Sequence, residues 1–201
     1  MTQKFLYPPL ILASASPRRK ELLSEAGISF KIIPSHTDES SLVAEFPAEL
    51  AGLLAEAKAL DIAGKYPEHL VLGADTLVVV GNEILGKPND HEDTRRMLRL
   101  LSGKIHQVIT GVAIICAERG IHKVFTVSTD VRFRKLSEKE VEWYTLSGEP
   151  ADKAGAYAIQ GLAAQFIPEI HGSYANVVGL PICEVVEELA LCGVFPENLP
   201  Q

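Results

Sequence analysis

Residues 10–19 read Leu-Ile-Leu-Ala-Ser-Ala-Ser-Pro-Arg-Arg, and this stretch decides how the chain begins to fold. Its apolar start predicts a short buried strand. Ser16 is a favoured N-cap and Pro17 a favoured first helical residue, so a helix is predicted to begin here. Arg18 and Arg19 then lie in the first turn, where the helix dipole already contributes about half a positive charge. A bound anion such as phosphate would offset this repulsion, and a solvated surface pair is the alternative.

Strand and helix patterns alternate through the rest of the chain, which favours an α/β fold. Strands are predicted at 30–33, at 70–74, in a hairpin of 77–80 with 83–85, and in a long antiparallel pair at 108–116 and 123–133. Helices are predicted at 47–63, after Asp90 to Gly103, after a capping box of Ser137 and Glu140, and at 181–192. Residues 149–179 lack periodicity and are predicted to be a long ordered loop with a short strand near 165–170.

The composition indicates one globular domain across residues 1–201, with 47% apolar and 22% charged residues. No apolar run is long enough to span a membrane, and the N-terminus resembles no targeting peptide, so a cytoplasmic protein is expected. The net charge of −7 argues against broad nucleic-acid binding. The three cysteines lack metal-ligand spacing and are predicted to be reduced and structural.

Two acidic features are candidates for chemistry. Asp75 follows the strand 70–74, and the carboxyl ends of strands are where open α/β sheets hold ligands and catalytic groups. An Asx-turn or a cap for Thr76 is the structural alternative. Asp38 and Glu39 lie in the loop after the second strand, where a carboxylate could bind Mg²⁺ or Mn²⁺ together with substrate phosphates. An acidic pair in a loop is also commonly just solvated.

Two lysines could extend the cationic site of the first helix. Lys58 interrupts an apolar and alanine-rich helix face, and Lys87 lies between Gly86 and Pro88. Together with the two arginines they would supply four positive charges, a match for the roughly four negative charges of a triphosphate. A snorkelling surface lysine is the alternative, and from the sequence alone it is favoured for Lys58. In the late loop, small residues alternate with polar ones such as Gln160, as expected of backbone wrapped round a ligand.

Several segments, in this order, resemble the Maf family of nucleoside triphosphate pyrophosphatases, and the match covers nearly the whole chain. They are residues 12–19 (Leu-Ala-Ser-Ala-Ser-Pro-Arg-Arg), Asp38-Glu39, 56–59 (Glu-Ala-Lys-Ala), 73–76 (Gly-Ala-Asp-Thr), 86–88 (Gly-Lys-Pro), 152–157 (Asp-Lys-Ala-Gly-Ala-Tyr), 159–161 (Ile-Gln-Gly) and 172–181 (Gly-Ser-Tyr to Leu-Pro). The resemblance implies a two-lobed α/β fold like that of the inosine triphosphate pyrophosphatases, with an elongated mixed sheet flanked by helices and a cleft between the lobes. Family members are often homodimers.

The resemblance also implies a reaction and the residues that perform it. Nucleoside triphosphates would be cleaved between the α and β phosphates, giving a monophosphate and pyrophosphate. Asp75 would be the catalytic base and, with Glu39, would bind a divalent metal, Mg²⁺ or Mn²⁺. The implied phosphate-binding residues are Ser14, Arg18, Arg19, Lys58 and Lys87.

Three positions resemble the branch of the family that acts on dTTP and UTP: Arg18, Thr76 and Gln160 would determine substrate specificity. Alternatives are the same reaction on another base, such as 7-methyl-GTP, or a non-catalytic nucleotide-binding regulator of cell division or septum formation. Ala158 stands where this branch frequently has glycine, and Ala163-Ala164 replace a glycine-rich pair, so the loop shape is expected to differ slightly.

Overall fold

A computed structural model describes residues 9–197 of the chain. The predicted absence of a targeting peptide concerns residues that lie mostly outside this range. Within it, no helix is long and apolar enough to cross a membrane.

The described residues form seven strands and six helices, with three short 3₁₀ turns. The strands are β1 (Leu10–Leu12), β2 (Lys31–Ile32), β3 (Leu70–Val80), β4 (Glu83–Leu85), β5 (Ile105–Cys116), β6 (Ile121–Arg132) and β7 (Glu169–His171). The helices are α1 (Pro17–Glu25), α2 (Pro47–Ala63), α3 (His91–Leu101), α4 (Glu138–Leu146), α5 (Tyr174–Val178) and α6 (Ile182–Leu191). The 3₁₀ turns are Glu149–Asp152, Ala154–Ala156 and Leu162–Phe166.

The strands form one mixed sheet in the order β2-β1-β3-β5-β6-β7, with β4 paired to β3. β1 is parallel to β2 and β3, whereas the β3–β4 and β6–β7 pairs are antiparallel. The mixed α/β fold class is therefore confirmed. The cleft implied by the resemblance stays a prediction.

Two segments differ from the sequence-based expectation. The predicted strand 70–74 and the first arm of the hairpin are one continuous strand, β3, because the intervening Asp75 and Thr76 also adopt extended backbone. Residues 149–179 are more ordered than a loop, since they contain the three 3₁₀ turns, β7 and α5. The strand in this region is Glu169–His171, at the C-terminal end of the predicted strand near 165–170.

The chain divides into two compact units. Among the described residues, the first unit comprises residues 9–75, Thr110–Thr126 and residues 179–197. Its core packs apolar side chains of β1, β3 and β5 against α1, α2 and α6, including Leu12, Leu72 and Leu189. The second unit comprises Thr76–Ile109 and Val127–Val178.

Helix α2 packs on the sheet of the first unit at two glycines. A Cβ atom on Gly73 would lie 2.8 Å from the backbone nitrogen of Ala59 and closer still to the carbonyl oxygen of Ala55. A Cβ on Gly111 would similarly lie 2.7 Å from the nitrogen of Gly52. The helix backbone thus lies directly against β3 and β5, at a distance that no larger residue permits.

The second unit contains a buried polar group within an aromatic cluster. His106 is 2% exposed, its ring packs edge-on against Phe133 and Tyr157, and its Nε2 lies 2.8 Å from the hydroxyl of Tyr157. Burial lowers the pKa of His106 to about 4, although the nearby Asp130 carboxylate opposes this shift. The imidazole is therefore neutral at neutral pH.

The cysteine prediction is confirmed in part. Cys116, Cys183 and Cys192 are all free thiols, and only Cys116 is buried. Cys183 is exposed, so it has no role in the core.

We expect Gly73→Ala to lower the free energy of unfolding by about 1–3 kcal/mol, because the added methyl group must push α2 away from β3. Urea denaturation followed by circular dichroism measures this change. Gly86→Ala is the matched control, since a Cβ there meets no atom within 4 Å. Equal stability of the two variants would contradict the close packing described for Gly73.

We expect acid to destabilise the protein partly through His106. Its pKa is lower in the folded chain than the usual 6.5, so the unfolded chain takes up the proton first and stability falls as the pH drops from about 6.5 to about 4. The full effect is about 3 kcal/mol. His106→Gln, which keeps a polar partner for Tyr157, should flatten this part of the profile. Parallel stability profiles of the two proteins between pH 7 and pH 4 would refute the assignment.

Candidate active site

The first turn of α1 is built as the sequence predicts. The hydroxyl of Ser16 accepts from the backbone N–H of Arg19, and Pro17 is the first helical residue. No acidic residue lies in this first turn, which contains both Arg18 and Arg19. The turn is therefore electropositive, as an anion-binding helix start requires.

The side chain of Arg19 is held from both sides. Its Nη1 donates to the hydroxyl of Ser14 at 3.2 Å, and its Nε donates to the carbonyl oxygen of Gly179 at 2.8 Å. Burial lowers the pKa of Arg19, Asp75 and Glu39 raise it, and the neighbouring Arg18 lowers it further. The guanidinium stays charged at neutral pH and is fixed within a cluster of charged groups.

Lys58 lies between two carboxylates. Its Nζ is 3.1 Å from Oε1 of Glu39 and 2.5 Å from Oδ1 of Asp75. The side chains of Lys58 and Asp75 are only 17% and 16% exposed. The interpretation of Lys58 as a solvated surface lysine is therefore wrong, because the helix packing over Gly73 brings it to the strand that carries Asp75.

The two acidic residues of the loop have different surroundings. Asp38 accepts a hydrogen bond from the backbone N–H of Ser40 at 2.9 Å, which lowers the pKa of its exposed carboxyl. Glu39 instead reaches the ammonium of Lys58. Of the pair, only Glu39 is thus oriented toward Asp75.

Three of the predicted site residues belong to the second unit. Thr76 is half-buried in β3, Lys87 is exposed in the turn after β4, and Gln160 is exposed between two 3₁₀ turns. The turn that carries Lys87 is tied to the late loop, since the N–H of Gly155 donates to the carbonyl oxygen of Gly86 at 3.0 Å.

The structure thus brings together Ser14, Arg18, Arg19, Glu39, Lys58 and Asp75 in the first unit. Basic side chains at a helix start beside two carboxylates are typical of enzymes that bind phosphate groups together with a divalent cation. Within residues 9–197 there is no group of three or more His, Cys, Asp or Glu side chains arranged as a metal site. Any metal here would therefore need ligands from its substrate or from water.

Comparison with known proteins identifies the family. A family model described as Maf-like protein matches residues 9–192. The chain therefore belongs to the Maf-like family, as the sequence motifs indicated.

Relatives about half identical in sequence have a shared name. The dTTP/UTP pyrophosphatase of Syntrophus aciditrophicus (strain SB) is 51% identical over 180 residues, which cover 90% of this chain and 88% of the relative. The dTTP/UTP pyrophosphatase of Geotalea uraniireducens (strain Rf4) is 50% identical over 186 residues, covering 92% and 96%. Among solved structures, a HAM1 protein from Coxiella burnetii is 15% identical with a TM-score of 0.40, covering 63% of this chain and 73% of that chain.

Two contacts of the site were not predicted from the sequence. The Gly179 carbonyl that holds Arg19 lies in the small-residue loop predicted to wrap a ligand, but no pattern identifies which backbone group takes part. The carboxylate of Glu149 contacts the segment that carries Gln160, and its sequence neighbourhood gives no indication of this.

We expect the Lys58–Asp75 pair to show strong coupling in a double-mutant cycle. Removing either partner leaves a charge that is largely shielded from water. The double variant Lys58→Met with Asp75→Asn should therefore lose less unfolding free energy than the two single variants combined, and the difference should be about 1 kcal/mol or more. Chemical denaturation of the four proteins gives the coupling energy.

The pair of Lys65 with Asp61 is the matched control, since the Lys65 side chain is 60% exposed whereas that of Lys58 is only 17% exposed. Its coupling energy should stay below about 0.5 kcal/mol. Additive effects of the Lys58 and Asp75 substitutions would show that the two groups do not interact as described.

Proposed function

We propose that this chain is a nucleoside triphosphate pyrophosphatase that hydrolyses dTTP and UTP, as well as modified pyrimidine triphosphates, to the monophosphate and pyrophosphate. The observation that carries the proposal is Lys58 bridging Glu39 and Asp75 in the same cluster as Arg19. The relatives named dTTP/UTP pyrophosphatase, about 50% identical over most of the chain, support the choice of substrate. The proposed role is removal of unwanted nucleotides from the pool.

The charged groups of the first unit have different roles in the proposed reaction. Arg18 and Arg19, with the hydroxyl of Ser14, bind the phosphates at the start of α1. Asp75 accepts a proton from the attacking water, whose oxygen bonds to the α-phosphorus while the bond to the bridging oxygen breaks. Pyrophosphate leaves with that oxygen. Lys58 orients the Asp75 carboxylate through its hydrogen bond and adds positive charge for the phosphates.

The donor set at Glu39 and Asp75 fits a divalent cation. Each carboxylate contacts the ammonium of Lys58 through one of its two oxygens, so the two groups lie close together, and carboxylate oxygens suit Mg²⁺ and Mn²⁺. Two carboxylates suffice when substrate phosphates and water complete the coordination. When bound, the cation would neutralise phosphate charge and lower the pKa of coordinated water.

Residues of the second unit are proposed to bind phosphate and to select the base. Lys87 contributes a further cation for the phosphates, and Thr76 and Gln160, together with Arg18, select the base. Uracil and thymine present an N3–H donor between two carbonyl acceptors, which a side-chain amide such as that of Gln160 can match. Cytosine presents a different pattern, and the mismatch costs about 1–3 kcal/mol.

A panel of nucleoside triphosphates tests the reaction and the base preference together. The protein is incubated with dTTP, UTP, CTP, GTP and 7-methyl-GTP, each with Mg²⁺ or Mn²⁺, and the products are separated. We expect dTTP and UTP to give monophosphate and pyrophosphate. Preference for 7-methyl-GTP would overturn the base assignment. Binding without pyrophosphate release would instead identify a nucleotide-binding regulator, for example of septum formation.

The single domain, the homodimer and the cytoplasmic location stay predictions.

We expect Asp75→Asn to abolish turnover while nucleotide affinity changes by less than about tenfold. The amide keeps the shape of the carboxylate but cannot accept the proton and is a poorer metal ligand. Steady-state assays and calorimetric titration with dTTP measure the two properties. Asp61→Asn, a substitution of the carboxylate that pairs with the exposed Lys65, is the control and should keep its activity. Near-normal turnover of the Asp75 variant would remove this residue from the mechanism.

A further inference from the structure

Glu149 makes a set of contacts that the proposed reaction leaves unexplained. One carboxylate oxygen, Oε2, accepts from the backbone N–H of Leu162 at 2.9 Å. The other, Oε1, accepts from the N–H of Ala163 at 3.3 Å and from the hydroxyl of Tyr144 at 2.8 Å. All these partners belong to the second unit.

The Tyr144 hydroxyl also binds the chain on the other side of Gln160, at Ala158. It accepts from the backbone N–H of Ala158 at 3.2 Å while it donates to Glu149. Tyr144 is fully buried in α4, and both its burial and the hydrogen bond to Glu149 raise the pKa of its hydroxyl, which therefore stays protonated. Tyr144 and Glu149 thus fix the chain at residue 158 and again at 162–163.

Gly161 shows how closely the segment passes the carboxylate. Its φ is +153°, and a Cβ atom there would lie 2.7 Å from Cδ of Glu149 and 2.8 Å from Oε1. A side chain at this position would displace the Glu149 carboxylate, and the positive φ itself favours glycine. Gln160 is the exposed residue immediately before it, in the middle of the fixed span.

The carboxylate of Glu149 differs from its neighbours on α3 and α4 in having no cationic partner within residues 9–197. Glu140 pairs with Arg134, and Glu142 pairs with Arg95. Those pairs join secondary-structure elements or cap them. The negative charge of Glu149 is instead stabilised by backbone N–H groups of one segment and by Tyr144, and hydrogen bonds to a charged acceptor are among the stronger ones.

We propose that Glu149 is a positioning residue for Gln160: with Tyr144 it holds residues 158–163 in the single conformation that presents the Gln160 amide to the base. This inference rests on the proposed function, since it assumes that Gln160 reads the base. The carboxylate itself does not contact the nucleotide. It acts by removing the alternative conformations of the segment, so its loss weakens discrimination between bases more than it weakens catalysis.

The test measures kcat/KM for dTTP and for CTP in the full-length protein and takes their ratio. We expect Glu149→Ala to lower this ratio about tenfold, mainly through the KM for dTTP, with kcat changed less than threefold. Gln160→Ala should lower the ratio by a similar factor. The double variant should show no further loss, because both substitutions remove the same interaction.

Two further variants separate positioning from general stability. Tyr144→Phe removes the hydroxyl that binds Ala158 and Glu149, so it should lower the ratio as well, and it decides the matter if Glu149→Ala fails to fold. Glu142→Ala is the matched control, since this nearby carboxylate on α4 pairs with Arg95 of α3 and its hydrogen bonds do not involve residues 158–163. Its ratio should stay within twofold of the unsubstituted protein.

Hydrogen exchange reports on the segment without any substrate. In Glu149→Ala the amides of Leu162 and Ala163 should exchange at least tenfold faster, whereas amides of α3 keep their rates. Unchanged exchange at these two amides would overturn the inference.

The outcomes distinguish this inference from the proposed function. If Gln160→Ala lowers the ratio and Glu149→Ala does not, only the positioning role of Glu149 is overturned. If Gln160→Ala itself leaves the ratio unchanged, Gln160 does not select the base, and the positioning role of Glu149 is overturned as well. Equal losses of kcat/KM for dTTP and CTP in Glu149→Ala would also overturn the inference, because they indicate a general structural effect.

Discussion

The packing of α2 directly on the backbone of β3 and β5 is the constraint on which the charged cluster depends. Gly73 and Gly111 lack the atom that would otherwise separate helix from sheet. With the helix this close, Lys58 reaches the carboxylate of Asp75, two residues beyond Gly73. If α2 lay farther from the sheet, less apolar area would be buried and the Lys58–Asp75 ion pair would lengthen. The same close packing therefore supports both the stability and the geometry of the cluster.

The cluster illustrates how charges can be kept away from water without being left unpaired. Isolated carboxylates as shielded as that of Asp75 would pay a large desolvation cost, and the ammonium of Lys58 offsets that cost. Arg19 is likewise held by the Ser14 hydroxyl and the Gly179 carbonyl oxygen. The side chains of the cluster are therefore oriented by hydrogen bonds within the chain, and such preorganisation would reduce the entropy lost on binding a ligand.

Local chemistry made much of this structure predictable. The caps at Ser16 and Ser137 were found because an N-cap depends only on residues within one turn. The snorkelling alternative for Lys58, which the sequence alone favours, is wrong because the partners of Lys58 come from other elements and sequence spacing does not report how closely a helix packs on a sheet. Residues 149–179 lacked periodicity because their conformation depends on hydrogen bonds to single side chains such as Glu149 and Thr129, rather than on a repeated apolar pattern.

The net charge of the whole chain is opposite in sign to that of the charged cluster in the first unit. The chain carries a net charge of −7, whereas the cations of the cluster (Arg18, Arg19 and Lys58) outnumber its two carboxylates by one. For the proposed polyanionic substrate, both fields are largely screened beyond about 8 Å, the screening length at physiological ionic strength, so the cationic cluster acts only at short range. Added salt consequently speeds association by screening the chain's negative field and speeds dissociation by weakening the cationic contacts, so the two rate constants report on separate regions of the surface.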